Sequence, residues 1–282
     1  MKNEQLLLIK QTRKDLQQKE FINQICNRFS LEKKKVLDDI EEVEVFEFSD
    51  GRIKKFILGK QIKSWYEALR IGDSKKKLIY EDYYYLLSGW LCWLHWSRTY
   101  IQRLYCVKVG EESFVKRTNN IKITLFDNLN IIIDFGCGTG HSTRALSEIY
   151  PKAIVFGTNV KSSWQMEFAK KFNKKNNIKF VSSFKDLPKT CDLALCSEYF
   201  EHFEKPIDHL KNIINTCHPK IFMSANSFNM VAAGHFEYFI ISNKPIHRSK
   251  VGKIFNNELI KQGYEKRIVG FWNNRPNIWE KK

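Results

Sequence analysis

Ile131-Ile-Ile-Asp-Phe-Gly-Cys-Gly-Thr-Gly140 is the stretch that decides how this chain folds. An apolar run ends in an acid, Asp134, and glycines follow at alternate positions, Gly136, Gly138 and Gly140. The run predicts a strand buried on both faces. The glycines carry no Cβ, so the backbone can turn sharply there and pass close to a ligand. Ser142 or Thr143 is then the expected N-cap of a helix through Ala145, Leu146 and Ile149. Open α/β sheets bind nucleotides at such strand-to-helix junctions. A tight turn that binds nothing has the same local signature, so the triplet needs support from the rest of the chain.

Downstream, short apolar runs alternate with amphipathic ones, as in an α/β sheet. Strands are expected over 130–135, 153–158, 178–182, 192–196 and 221–225, with helices between them at 164–172 and 207–217. A helix around 255–261 and two strands, 264–269 and 277–280, close the pattern. This domain is expected to cover 119–282. Residues 1–118 read as a mainly helical region. Its apolar stripe includes Leu16, Phe21, Ile22, Ile25 and Phe29. Asp50-Gly51 between two strand-like runs predicts a β-hairpin over 43–58. A helix is expected over 62–71, and an aromatic-rich one over 80–105, where core packing outweighs a stacking platform.

Taken together, the motif and strand order resemble the class I S-adenosylmethionine (SAM)-dependent methyltransferases over about residues 120–282. The glycine loop matches that family's acid-x-Gly-x-Gly-x-Gly. The resemblance implies a seven-stranded α/β sheet with helices on both faces and the last strand inserted antiparallel. It implies SAM as cofactor, with Asp134 supporting the loop and the amino end of the methionine moiety. Gly136, Gly138 and Gly140 would let the backbone approach the cofactor. Asn159, at the end of the second strand, stands where the family usually has an acid for the ribose hydroxyls. Returning an acid to 159 is expected to tighten cofactor binding through a charge-assisted bond. Ser183 aligns with the acid that often meets the adenine amino group, and Phe184 would offer its backbone N–H and its ring.

Glu198-Tyr-Phe-Glu201-His202 resembles a second family segment, and its spacing is expected to put Glu198, Glu201 and His202 on one helical face. His202 is the expected catalytic base, with Glu198 orienting it; His141, after the glycine loop, is the alternative base. Two carboxylates and an imidazole can also hold Mg²⁺ or another divalent ion. Ubiquinone-pathway O-methyltransferases and small-RNA 2′-O-methyltransferases in the family use such a site, the latter with a further histidine. His235 is the candidate for that fourth ligand. Many relatives carry the segment without a metal, so both readings stand.

The 282 residues carry a formal charge of +16 and 43% hydrophobic residues. Charge of that sign admits a nucleic-acid partner, but the lysines are spread along the chain, as in a compositionally biased sequence. Seven cysteines with no C-x-x-C pair suggest reduced thiols. The polar opening Met1–Gln5, the short Leu6–Ile9 run and the lack of a span-length apolar segment lead to an expected cytoplasmic location. No Pro-Pro-aromatic motif of the base amino-methylating enzymes occurs, nor a Pro-Cys nucleophile for cytosine C5 chemistry. A small-molecule acceptor methylated at oxygen is the leading expectation. RNA 2′-O methylation and a non-catalytic SAM-fold module are the alternatives.

Overall fold

The computed structural model describes residues 18–40, 57–70, 80–87, 126, 128–161, 163–268 and 276–282. The chain divides into two compact units, Met1–Leu91 and Cys92–Lys282. The boundary expected at 118/119 lies outside the described residues.

In the first unit, helix α1 (18–29) stops at Ser30, whose φ of 52° is left-handed, and α2 (33–40) follows. Phe21, Ile22 and Ile25 of α1 and Val36 and Ile40 of α2 are buried. Helix α3 (Ile57–Arg70) begins earlier than the sequence pattern suggests. The expected hairpin lies outside the described residues except for Ile57 and Leu58, which are helical. Of the aromatic segment, only 80–87 is described, with a short helix α4 (83–87). There the Tyr83 hydroxyl donates to Asp39 at 2.7 Å, and Lys35 donates to the same carboxylate at 2.9 Å.

The second unit is built on a seven-stranded sheet: β1 (Ile131–Phe135), β2 (Ile154–Thr158), β3 (Ile178–Val181), β4 (Cys191–Ser197), β5 (Pro219–Ala225), β8 (Tyr264–Ile268) and β9 (Asn277–Lys281). Its order is β3-β2-β1-β4-β5-β9-β8. The first five strands are parallel, and β9 enters antiparallel between β5 and β8. Helices α5 (His141–Ile149), α6 (Trp164–Phe172) and α7 (Pro206–Cys217) make three of the four crossovers, and the β3-to-β4 connection carries only the short 3₁₀ turn Phe184–Asp186. Right-handed crossovers to either side of β1 place helices on both faces, and the order reverses between β1 and β4. Ile132, Val155, Leu193, Leu195, Ile221, Met223 and Ile278 fill the core beneath Leu146 and Ile149. Asp192 ties the strand starts together. Its Oδ2 accepts from the backbone N–H groups of Asn130 (2.7 Å) and Ile131 (3.0 Å), and Lys220 donates to Oδ1 at 2.7 Å.

Two departures from the sequence pattern have plain causes. Helix α8 (Arg248–Lys261) starts seven residues before the expected 255. Its buried line is Val251, Phe255 and Leu259, one residue per turn, and Lys250, Gly252 and Lys253 obscure it in the sequence. A separate hairpin, β6 (Tyr238–Ile241) with β7 (Lys244–His247), has no counterpart in the expectation. Its turn uses Ser242 and Asn243, both with positive φ (51° and 60°), as a two-residue hairpin turn requires, without the glycine that usually marks one.

Candidate active site

The β1-to-α5 turn is packed closely by side chains from other elements. Gly136, Gly138 and Gly140 all have positive φ (69°, 52° and 86°). At Gly136 the missing Cβ leaves room for a ring: a Cβ there would lie 2.4 Å from Tyr199 Cδ2. At Gly140 it would lie 2.7 Å from Asn173 Nδ2 and 3.0 Å from Phe180 Cζ. Two of the three glycines are therefore demanded by the protein's own packing. Gly140 caps α5, so neither Ser142 nor Thr143 is the N-cap. Both sit in the first turn and donate their hydroxyl hydrogens to Asp134 Oδ2, at 2.5 and 2.7 Å. Burial pushes the Asp134 carboxyl up to about 6, and these bonds limit the rise.

Asn159 follows β2 and turns its amide toward the loop. Its Nδ2 donates to the Gly138 carbonyl and to Gln165 Oε1, both at 3.2 Å, and its Oδ1 accepts from the Val160 N–H at 2.8 Å. The next loop carbonyl, Thr139, accepts from Asn173 Nδ2 at 2.8 Å. Ser183 accepts from the Lys185 N–H and caps the short turn Phe184–Asp186. The Phe184 ring centroid lies 5.9 Å from that of Phe135 and 5.7 Å from His209. His141 opens α5; burial and then Arg144 lower its pKa to about 3, so it is uncharged at neutral pH.

The Glu198–His202 segment does not form the expected single helical face. Only Phe200–His202 form a 3₁₀ turn. Glu198 precedes it with a left-handed φ of 47°, held by its N–H to the Ala225 carbonyl at 2.6 Å. A non-glycine residue in that region costs on the order of 1–3 kcal/mol and clusters at functional sites. Here it turns the Glu198 carboxylate toward Ser227, whose hydroxyl donates to it. The Ser227 N–H donates to Glu201 Oε1 at 2.7 Å. Burial first, and then the adjacent Glu198 carboxyl, push the Glu201 pKa well above the usual carboxylate range. Two carboxyls so close do not both ionise in a dry site.

Next to this pair, His202 Nδ1 meets the Gly234 carbonyl at 3.1 Å, and its ring packs edge-on against His235 with centroids 4.9 Å apart. A carbonyl only accepts, so Nδ1 carries the hydrogen and Nε2 keeps its lone pair. Burial lowers the His202 pKa to about 4. The four candidate ligands thus stand as a carboxyl pair and an imidazole pair. Among the described residues no three His, Cys, Asp or Glu side chains form one ligand set. The donor chemistry suits a divalent ion, but the arrangement is not a closed site.

Over residues 101–225 the chain matches the family described as Methyltransferase domain. The chain carries a SAM-dependent methyltransferase domain. Its fold is similar to that of the mitomycin 7-O-methyltransferase MmcR, with a TM-score of 0.50 at 13% identity over 79% of this chain and 66% of that one. The methyltransferase domain of bacterial CtHen1-C matches 64% of this chain and 97% of its own length at 18% identity, TM-score 0.43. YcgJ from Bacillus subtilis matches 34% of this chain and 43% of its own length at 20% identity, TM-score 0.29. No curated protein matches the chain.

The methyltransferase places the glycine loop, Asn159, Ser183 and Phe184 at the carboxyl ends of β1, β2 and β3, beside the switch point. Glu198 to His202 follow β4, and His235 follows β5, as the motif order anticipates. Four further residues shape the site. Tyr199 covers Gly136 and bonds His209 Nε2 at 2.8 Å. His209 stacks on Phe203, centroids 3.8 Å apart, and burial lowers its pKa to about 4. Ser227 gathers the carboxyls and Asn173 holds the loop. Tyr199 lay within the quoted motif and could have been singled out; Asn173, His209 and Ser227 carry no local signal. No helix among the described residues is long and apolar enough to cross a membrane.

Proposed function

We propose that this methyltransferase methylates a hydroxyl oxygen of a small-molecule acceptor, with His202 as the base. The observation that supports this best is the fixed tautomer of His202: the Gly234 carbonyl holds the ring hydrogen on Nδ1, which makes Nε2 the basic nitrogen. Its lowered pKa keeps the ring uncharged at neutral pH. Glu201 is fully buried and His235 is 6% exposed, so a slender group suits this recess better than a broad surface. SAM, when bound, supplies an electrophilic methyl on a sulfonium sulfur. Asp134, Gly136, Gly138, Gly140, Ser183 and Phe184 are the proposed cofactor contacts, with Asn159 standing behind the loop. His202 Nε2 takes the hydroxyl proton as the acceptor oxygen takes the methyl, and the Glu198–Glu201 pair holds the local charge near neutral.

A second reading rests on the same two pairs. Glu198, Glu201, His202 and His235 would hold Mg²⁺ or Mn²⁺, and the ion would lower the pKa of a ribose hydroxyl, as in RNA 2′-O methylation. His202 is then a ligand and not the base. The test is methyl transfer from labelled SAM to a panel of phenols, aliphatic alcohols and short RNAs, with and without EDTA. Transfer to small hydroxyl compounds that EDTA leaves intact supports the first reading. RNA-restricted transfer, lost with EDTA and restored by Mg²⁺ or Mn²⁺, replaces it with the second.

A further inference from the structure

The resemblance alone makes Asn159 a neutral substitute for an acid that grips the ribose. The geometry points to a different task. We propose that Asn159 is a positioning residue that holds the glycine loop in its binding shape, in concert with Asn173.

Asn159 Nδ2 gives its two hydrogens to Gly138 O and Gln165 Oε1, while Oδ1 receives the Val160 N–H. The two backbone contacts fix the amide orientation, because a flipped amide would set its oxygen against the Gly138 carbonyl and its NH₂ against the Val160 N–H. Asn173, fully buried at the end of α6, gives one hydrogen bond to Thr139 O at 2.8 Å and one to Ala169 O at 3.2 Å. Two consecutive loop carbonyls, Gly138 and Thr139, are therefore tied back by neutral amides from two different elements. Across a planar trans peptide the N–H points opposite the carbonyl. Tying back Gly138 O thus turns the Thr139 N–H away from Asn159. The Gly140 N–H closes the turn on Cys137 O at 2.8 Å, and the Cys137 N–H donates to Thr158 O at 2.9 Å.

A carboxylate at 159 has the same shape but no hydrogen to give. Even with the Gln165 amide turned to donate, it would set an oxygen against the Gly138 carbonyl and release the loop it stands beside. This reverses the expectation drawn from the resemblance: Asn159→Asp weakens cofactor binding where a ribose-gripping position would strengthen it. The affinity part of this inference rests on the SAM reading; the loop part does not.

Two measurements on the intact chain test it, using Asn159→Asp, Asn159→Ala and wild type. Hydrogen exchange of the Cys137 and Gly140 amides in cofactor-free protein reports the loop directly. Calorimetric titration with S-adenosylhomocysteine reports its consequence. Both variants are expected to exchange these amides severalfold faster and to bind roughly tenfold more weakly, the scale of one lost hydrogen bond. Their melting temperatures should stay within a few degrees of wild type, which separates a loop effect from general destabilisation. Asn159→Asp binding as tightly as wild type or tighter, or unchanged exchange in both variants, would overturn the proposal. If wild type itself binds no S-adenosylhomocysteine, the cofactor reading fails, and the exchange rates alone decide the loop role.

Discussion

The residues of this site serve the protein's own packing and its chemistry at once. Gly136 shows this most clearly. Its φ of 69° and the Tyr199 ring, 2.4 Å from where a Cβ would sit, both exclude a side chain. Gly136→Ala is expected to cost about 1–3 kcal/mol of stability by overpacking and backbone strain. Adding Tyr199→Ala should recover part of that loss, as for residues in contact. Urea unfolding of the two single variants and the double variant measures it, and strict additivity would mean the ring is not the obstacle. His202 is expected to behave differently, because the proposed reading sets it against the acceptor. His202→Ala should lower kcat by about 10²–10⁴-fold and leave S-adenosylhomocysteine affinity within a factor of two or three. A loss of affinity as large as the loss of kcat would place His202 on the cofactor instead. Residue types at 134, 136, 138, 140, 198, 201 and 202 stand out in the sequence, because a strand end and a dense motif mark them, whereas His235 was a candidate only through the resemblance. The left-handed backbone of Glu198 does not stand out, because nothing local to a glutamate announces a positive φ. The Ala225 carbonyl and Ser227, far along the chain, help hold it.

The elements of the sheet were legible in proportion to their burial. The buried central strands β1 and β4 read as near-continuous apolar runs, and each lies within one residue of its expected ends. Helix α6 matches its expected range, since Ser163 caps it by accepting the Met166 N–H and its apolar face is regular. Helix α8 and the β6–β7 hairpin were shortened or missed, because one buries a narrow line and the other turns without glycine. Asp192 joins these elements at the amino edge of the sheet, opposite the chemistry. Its pKa is lowered: burial acts against this, but the Lys220 ion pair and the Ile131 and Asn130 N–H groups prevail. Asp192→Ala strands two backbone donors at the entry to β1. The expected loss is about 2–3 kcal/mol in urea unfolding at pH 7, with unchanged methyl acceptor preference. A loss under about 0.5 kcal/mol would mean water satisfies those donors.

Across the whole molecule, the site's buried imidazoles set an acid limit. His141, His202 and His209 have pKa values lowered to about 3, 4 and 4 from 6.5, chiefly by burial. The unfolded chain therefore binds their protons first, and stability falls as pH drops from 6.5 toward 4. Asp134, raised from 3.8 to about 6, works oppositely: its folded form holds the proton, so its contribution to stability is lost as pH rises through that range. Glu201, also raised, has the same sign as Asp134. His209→Phe removes one imidazole from this balance. At pH 7.5 the variant should be about 1 kcal/mol less stable than wild type, through the lost Tyr199 bond. By pH 5 that deficit should be offset by about 2 kcal/mol, leaving the variant the more stable of the two, and a deficit independent of pH would show that His209 is not held neutral. The central claim is that the loop at Gly136–Gly140 receives SAM, and the most direct measurement is calorimetric titration of wild type and Gly138→Val with S-adenosylhomocysteine. Saturable one-to-one binding by wild type, absent in a Gly138→Val protein that still unfolds cooperatively, is the predicted result. No binding by wild type, or equal binding by both, would contradict it.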